Sequence, residues 1–125
     1  MIDFKNPGFF KLKQANPQSV LPSIQPLLLA DESIVSAFQG VRDFVAFTTK
    51  RIISVNVQGI SGKKKDFTSL PYNRIQAFSV ETSGPFDRDC ELDLWFSGIG
   101  NVRFEFSGGV NISAIAQTIG NFALK

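Results

Sequence analysis

Between Arg42 and Gly59, two apolar runs are joined by a short polar stretch, and that pattern reads as a β-hairpin around which the rest of the chain is organised. Val45 and Phe47 fall on one face of the first run. In the second, Ile53, Val55 and Val57 alternate with Ser54 and Asn56, the two-residue period of a half-buried strand. Thr48-Thr49-Lys50-Arg51 supplies the turn.

Further strands are read on either side of this hairpin. Upstream, residues 33–39 form one with Ile34, Val35 and Phe38, and Gly40 breaks it. Downstream, Gln58-Gly59-Ile60-Ser61-Gly62-Lys63-Lys64-Lys65 joins two glycines to three consecutive lysines, the composition of an exposed, mobile loop. A short strand over 66–70, a turn at Pro71-Tyr72-Asn73-Arg74 and a strand over 75–82 with Phe78 and Val80 come next. After a second loop over 83–89, Cys90, Leu92, Leu94 and Phe96 face inward while Glu91, Asp93 and Trp95 face the other way. A glycine-bearing loop over 97–101 leads to the last strand, where Val102, Phe104 and Phe106 alternate with Arg103, Glu105 and Ser107. From Asn111 the spacing changes: Ile112, Ile115, Ala116, Ile119, Phe122 and Ala123 recur as one face of an amphipathic helix.

The N-terminal part is less regular. Asn16-Pro17 caps one short helical turn and Ser23 a second whose first turn tolerates Pro26, with Pro22 preventing a single long helix. Leu27, Leu28 and Leu29 read as core. Before them, Phe4, Phe9, Phe10 and Leu12 stand among Lys5, Lys11 and Lys13, an arm that needs a surface to cover, either its own domain or a neighbouring subunit.

Composition mainly excludes. The 125 residues suit one domain, and thirteen phenylalanines can fill a β core without polar atoms to satisfy. A formal charge of +2 does not announce nucleic acid. Histidine is absent, which removes the commonest general base, the commonest transition-metal ligand and any Ser-His or Cys-His pair. The single Cys90 lies on an apolar strand face and is expected as a buried thiol. Neither an export leader nor a run of about 18 apolar residues is present, so a cytoplasmic setting is the default expectation.

Two groups of residues invite chemistry. Asp87, Asp89, Glu91 and Asp93 recur at every second position and could present oxygen ligands on one strand face, but the spacing of a calcium-binding loop is missing and solvated carboxylates are what an outward face requires. No metal, cofactor or catalytic residue is therefore assigned. Trp95, outward beside Asp93, points to a contact in an assembly, and with Phe9 and Phe10 these two residues are the interface candidates. Lys63, Lys64 and Lys65, helped by Arg42, Lys11 and Lys13, are the alternative, a site for anionic lipid headgroups or phosphorylated ligands, although no Walker spacing accompanies them.

Seven strands followed by one helix is the pleckstrin-homology order, and the residues go further than the order. Arg42-Asp43 with Phe47-Thr48-Thr49-Lys50-Arg51, Gln58-Gly59-Ile60-Ser61-Gly62-Lys63-Lys64, Pro71-Tyr72, and Glu81-Thr82-Ser83-Gly84 with Phe86-Asp87 and Glu91-Leu92 resemble the bacterial pleckstrin-homology-like domains. The resemblance implies a mainly β fold, a partly open barrel of seven strands in two near-orthogonal sheets capped by a C-terminal α-helix, with a short helical N-terminal segment. It implies one domain over 1–125, with the arm and helical segment in 1–31, the barrel in 32–107 and the helix in 110–124. It also implies a bacterial cytoplasmic protein that assembles with itself in pentameric rings; it implies no defined activity, and with no catalytic site legible in the residues a non-enzymatic protein is expected. Compared with the eukaryotic relatives that bind phosphoinositides, the loop Gln39-Gly40-Val41-Arg42-Asp43 offers one arginine where they place several basic residues, and their helix tryptophan is missing, Phe122 being the only aromatic there. The expected partner is thus a second copy, or another protein, ahead of a membrane surface; nucleic acid is not expected.

Overall fold

The computed structural model describes residues 11–82, Gly84 and residues 89–124. Phe9, Phe10 and Asp87 lie outside the described residues. The chain divides into two units, one of residues 14–71 and one of residues 72–124 with 11–13.

The first unit is built on a sheet with strands in sequence order: β1 (Lys13–Ala15), β2 (Ile34–Gln39), β3 (Phe44–Thr48), β4 (Arg51–Gln58) and β5 (Lys64–Pro71). The predicted hairpin is β3 and β4, antiparallel and turning at Thr49-Lys50. Its burial differs from the expected half-buried pattern, because all five residues of β3 are buried. The register explains this: Phe44 pairs with Val55 and Ala46 with Ile53, so Ile53 and Val55 lie on the face opposite Val45 and Phe47. Phe44, Ala46, Ile53 and Val55 pack with Ala37 beneath Val20 and Ile24 of helix α1 (Pro17–Ile24). On the other face, the rings of Phe38 and Phe47 meet edge to face with centroids 5.6 Å apart.

Helix α1 starts where the sequence predicts, with the Asn16 side chain accepting from the Gln18 N–H at 3.0 Å and Pro17 in the first turn. It does not stop at Pro22, and Ser23 is an interior helical residue rather than a cap. Pro22 removes one N–H near the helix end, whereas Val20 and Ile24 together remove two aliphatic side chains from water, each worth about 1.5–3 kcal/mol. A 3₁₀ turn over Gln25–Leu27 follows. Of the three leucines read as core, Leu28 packs half-buried against the core cluster, Leu27 is half-buried and Leu29 is 56% exposed. The anchor here is instead Glu32, whose side chain is fully buried.

In the second unit β6 (Ile75–Glu81), β7 (Cys90–Phe96) and β8 (Gly100–Phe106) form an antiparallel meander. Helix α2 (Ile112–Ala123), capped by the Asn111 side chain on the Ala114 N–H at 3.1 Å, buries Ile112, Ile115 and Ile119. Phe122 stacks on Tyr72, in the 3₁₀ turn Tyr72–Arg74, with ring centroids 5.1 Å apart. Leu12 of the arm is buried and runs parallel to Phe106, donating its N–H to the Glu105 carbonyl and accepting from the Ser107 N–H, both at 2.9 Å. The described residues hold eight strands where seven are predicted, the extra one being the short β1.

Candidate functional site

The outward face of the β6-β7-β8 sheet is arranged in rows that follow from its register. Ala77, Trp95 and Asn101 make one row, Ser79, Asp93 and Arg103 the next, and Glu81, Glu91 and Glu105 the third. Small or polar neighbours leave the indole of Trp95 open, and the residue is 39% exposed. Asp93 shares its face but is not a free contact group. Its carboxylate accepts from Arg103 Nε at 2.9 Å and from Asn101 Nδ2 at 3.3 Å, and the residue is buried. The expectation of a solvated outward carboxylate fails here because a cation stands directly opposite it on β8.

Arg103 also reaches Glu91, 3.5 Å away, and Lys11 pairs with Asp89, so each described carboxylate of the alternating acidic row is matched by a cation. Among the described residues, no cluster of three or more His, Cys, Asp or Glu is disposed to hold a metal. Burial pushes the Glu91 carboxyl above its usual range, and Glu81 and Glu105 push the same way against the pull of Arg103. Because its folded value is raised, the charged form is the disfavoured one and its penalty sets in as pH rises through that value. Glu91→Gln is therefore expected to stabilise the protein at neutral pH by roughly 0.2–1 kcal/mol. The gain should shrink as pH falls below the ordinary glutamate range, which urea titrations over that interval check.

Cys90, on the opposite face, is buried with Leu92, Leu94 and Phe96 as predicted. Burial, with the Asp89 charge, pushes its thiol up, away from thiolate chemistry.

The second candidate lies at one end of the first unit's sheet. Here β5 begins at Lys64, so Lys64 and Lys65 are strand residues, paired with Gln58 and Val57, and not part of a loop. Only Lys63 remains in the turn. All three lysines are exposed, and the Lys65 ammonium donates to Ser23 Oγ of α1 at 3.2 Å. Arg42, from the β2–β3 loop, donates its guanidinium to the Gly59 carbonyl of the β4–β5 turn. Gly59 (φ +79°) and Gly62 (φ +69°) both need the left-handed conformation that glycine allows, and a Cβ on Gly62 would lie 3.6 Å from that guanidinium. The structure thus brings Arg42 to the lysine turn but engages it with backbone.

The profile of the bacterial PH domain family matches residues 3–123. The chain belongs to that family. It is 50% identical over 80 residues to YjqA of Bacillus subtilis (strain 168), a match spanning 64% of either chain, and so slightly less than two thirds of that relative. It is 33% identical over 112 residues to YozO of the same organism, covering 90% of this chain and 94% of that one. A crystal structure of a DUF1696-family protein with a pleckstrin-homology domain from Shewanella loihica PV-4 superposes with a TM-score of 0.79 at 36% identity, covering 90% and 97% of the two chains. The fold of this bacterial PH domain is accordingly mainly β and pleckstrin-homology-like, with two sheets and a C-terminal helix.

A groove of about 470 Å³ in the first unit runs past Gln18, Leu21, Gln25, Leu28, Leu29 and Ile34. Glu32 in its wall is taken up by a network that sequence reasoning missed. Arg51 donates Nε to Glu32 Oε2 at 3.0 Å and Nη2 to Oε1 at 2.9 Å, the Thr48 hydroxyl lies 2.6 Å from Oε2, and the Leu29 N–H reaches Oε1 at 3.1 Å. Burial pushes this carboxyl up, but those hydrogen bonds and the Arg51 charge outweigh it and hold the group below its ordinary range. The signal in sequence was Thr48-Thr49-Lys50-Arg51, read there only as a polar turn.

Proposed function

We propose that this bacterial PH domain is a non-enzymatic interaction module that assembles with copies of itself through the outward face and free edge of its β6-β7-β8 sheet. The observation that carries this reading is Trp95, an aromatic 39% exposed on the middle strand of that face. Beside it, Ala77 leaves room for a partner's side chain, and Ile99 in the β7–β8 turn is another exposed apolar residue. Among the described residues β6 pairs only with β7, so its outer edge still has N–H and C=O groups to satisfy. An edge on one copy meeting a different surface on the next is the head-to-tail contact that closes rings. Asp93 serves this surface indirectly, by holding Arg103 and Asn101 in place on β8.

Size exclusion with light scattering, at low and high salt and over a range of concentrations, tests the proposal. The expected result is a stable mass of several subunits that Trp95→Glu reduces to the monomer. A monomer under every condition overturns it.

A second reading is favoured by the exposed Lys63 and Lys64 beside Arg42: the same domain engages anionic surfaces at that sheet end. Co-sedimentation with anionic vesicles at low salt, lost when Lys63, Lys64 and Lys65 become alanine, is the expected behaviour; no binding under those conditions disposes of it.

A further inference from the structure

The outward face of the β6-β7-β8 sheet carries its charge unevenly. Its third row sets Glu81, Glu91 and Glu105 directly opposite one another on neighbouring strands, a juxtaposition of like charges that costs stability. With strands about 4.8 Å apart, the row runs roughly 10 Å across the sheet. Arg103 is the one cation that the three rows hold, and it lies 2.9 Å from Asp93 but 3.5 Å from Glu91. Burial, and then the charges of Glu81 and Glu105, push the Glu91 carboxyl up against the pull of that guanidinium. This excess of negative charge is local, since the chain as a whole carries +2. Its counterpart is Lys63-Lys64-Lys65, the longest basic run in the sequence, exposed at all three positions. Three extended residues span about 7 Å between their outer Cα atoms, and flexible lysine stems extend that reach to the length of the glutamate row.

We infer that the glutamate row of one copy receives the Lys63-Lys64-Lys65 run of the next, so that charge as well as Trp95 joins the copies head to tail. The inference rests on the first reading above and names the surface that the outward face meets. An anionic surface would satisfy the lysines alone, and an unrelated basic protein the glutamates alone. A second copy satisfies both, because in a head-to-tail contact each copy gives one surface and receives the other. The division of labour within the contact follows from its chemistry. Trp95 supplies the desolvated anchor, while the charged row beyond it sets the register and rejects wrong partners.

The experiment follows dissociation on dilution, by light scattering, for the parent and three variants of the full chain: Glu81→Lys with Glu105→Lys, Lys63→Glu with Lys64→Glu, and the four changes combined. Glu81, Lys63 and Lys64 are exposed and Glu105 is half-buried, and urea midpoints no lower than the parent's show that the variants fold. Either pair of reversals alone should weaken assembly on the order of a hundredfold, because it sets like charges against each other across the contact. The combined variant should recover about tenfold of that loss. A second measurement needs no variant. An equal mixture of isotope-labelled and unlabelled parent is treated with a carbodiimide, which joins a lysine amine to a carboxylate in contact with it. Mixed-isotope links between residues 63–65 and Glu81, Glu91 or Glu105 are expected. A parent that is monomeric under every condition overturns the inference together with the reading it rests on. Assembly that Trp95→Glu abolishes but both pairs of reversals leave unchanged overturns the inference alone, and leaves the lysines to anionic surfaces. Losses that the combined variant does not recover, with no mixed-isotope link at these positions, overturn it as well.

Discussion

Glu32→Gln is expected to lower the stability of the protein by about 3 kcal/mol at neutral pH, one of the two largest effects of a single substitution foreseen for this chain. Glutamine keeps the shape of the side chain and one acceptor. It removes the charge that offsets Arg51, whose guanidinium also donates Nη2 to the Leu27 carbonyl at 2.7 Å and Nη1 to Ser69 Oγ at 3.0 Å. The cost comes from leaving that cation only partly compensated where its side chain is 20% exposed. Removing both charges together, Glu32→Met with Arg51→Met, should therefore cost less than the sum of the two single changes, the sign of a coupled pair. The pH dependence follows from the depressed carboxyl. With the folded value below the unfolded one, its contribution is fully present above the unfolded value and is lost as pH falls through the carboxylate range. Urea titrations should show the parent losing stability over that interval and Glu32→Gln losing less. Glu91 responds with the opposite sign, its penalty being relieved in acid, so the two carboxylates can be told apart by the same titration.

These two residues also mark what could be read from the sequence. The alternation in β7 and β8 was legible because a strand's faces repeat every second residue and the inward set, Cys90 through Phe96 and Val102 through Phe106, was uniformly apolar. The cap at Asn16 was legible because a cap acts within one helical turn, and the start of α2 was legible from the change to helical spacing after Asn111. What escaped depends on partners distant in the chain. Glu32 looked like the polar end of a leucine run until Arg51 was folded against it, and Asp93 looked solvated until Arg103 was brought opposite by the β7–β8 register. Lys64 and Lys65 counted as loop because their backbone partners, Gln58 and Val57, are fixed only when the β4–β5 hairpin forms. Of the candidate surfaces, Trp95 was visible in advance. The link from Arg42 to Gly59, which ties the β2–β3 loop to the β4–β5 turn, was not, since neither loop carries a local signal of the other.

Phe47→Ala is expected to destabilise the protein by about 3–5 kcal/mol, a loss on the scale of the Glu32 substitution but arising from packing alone. Phe47 has no exposed surface, and opposite it stand the half-buried Ser36 on β2 and the buried Ile52 on β4. Truncation removes the edge-to-face contact with Phe38 and leaves a space that a strand hydrogen-bonded on both edges has little freedom to close. The comparison that gives this number meaning is Val35→Ala on β2. Val35 was read in sequence as part of the same apolar strand set but is 44% exposed, so its loss should stay within roughly 0.5 kcal/mol. Urea midpoints at constant slope measure both. A Phe47→Ala cost close to that of Val35→Ala would mean that β3 is covered on one face only. A large separation would place the energetic centre of the unit on the strand whose two faces are both buried.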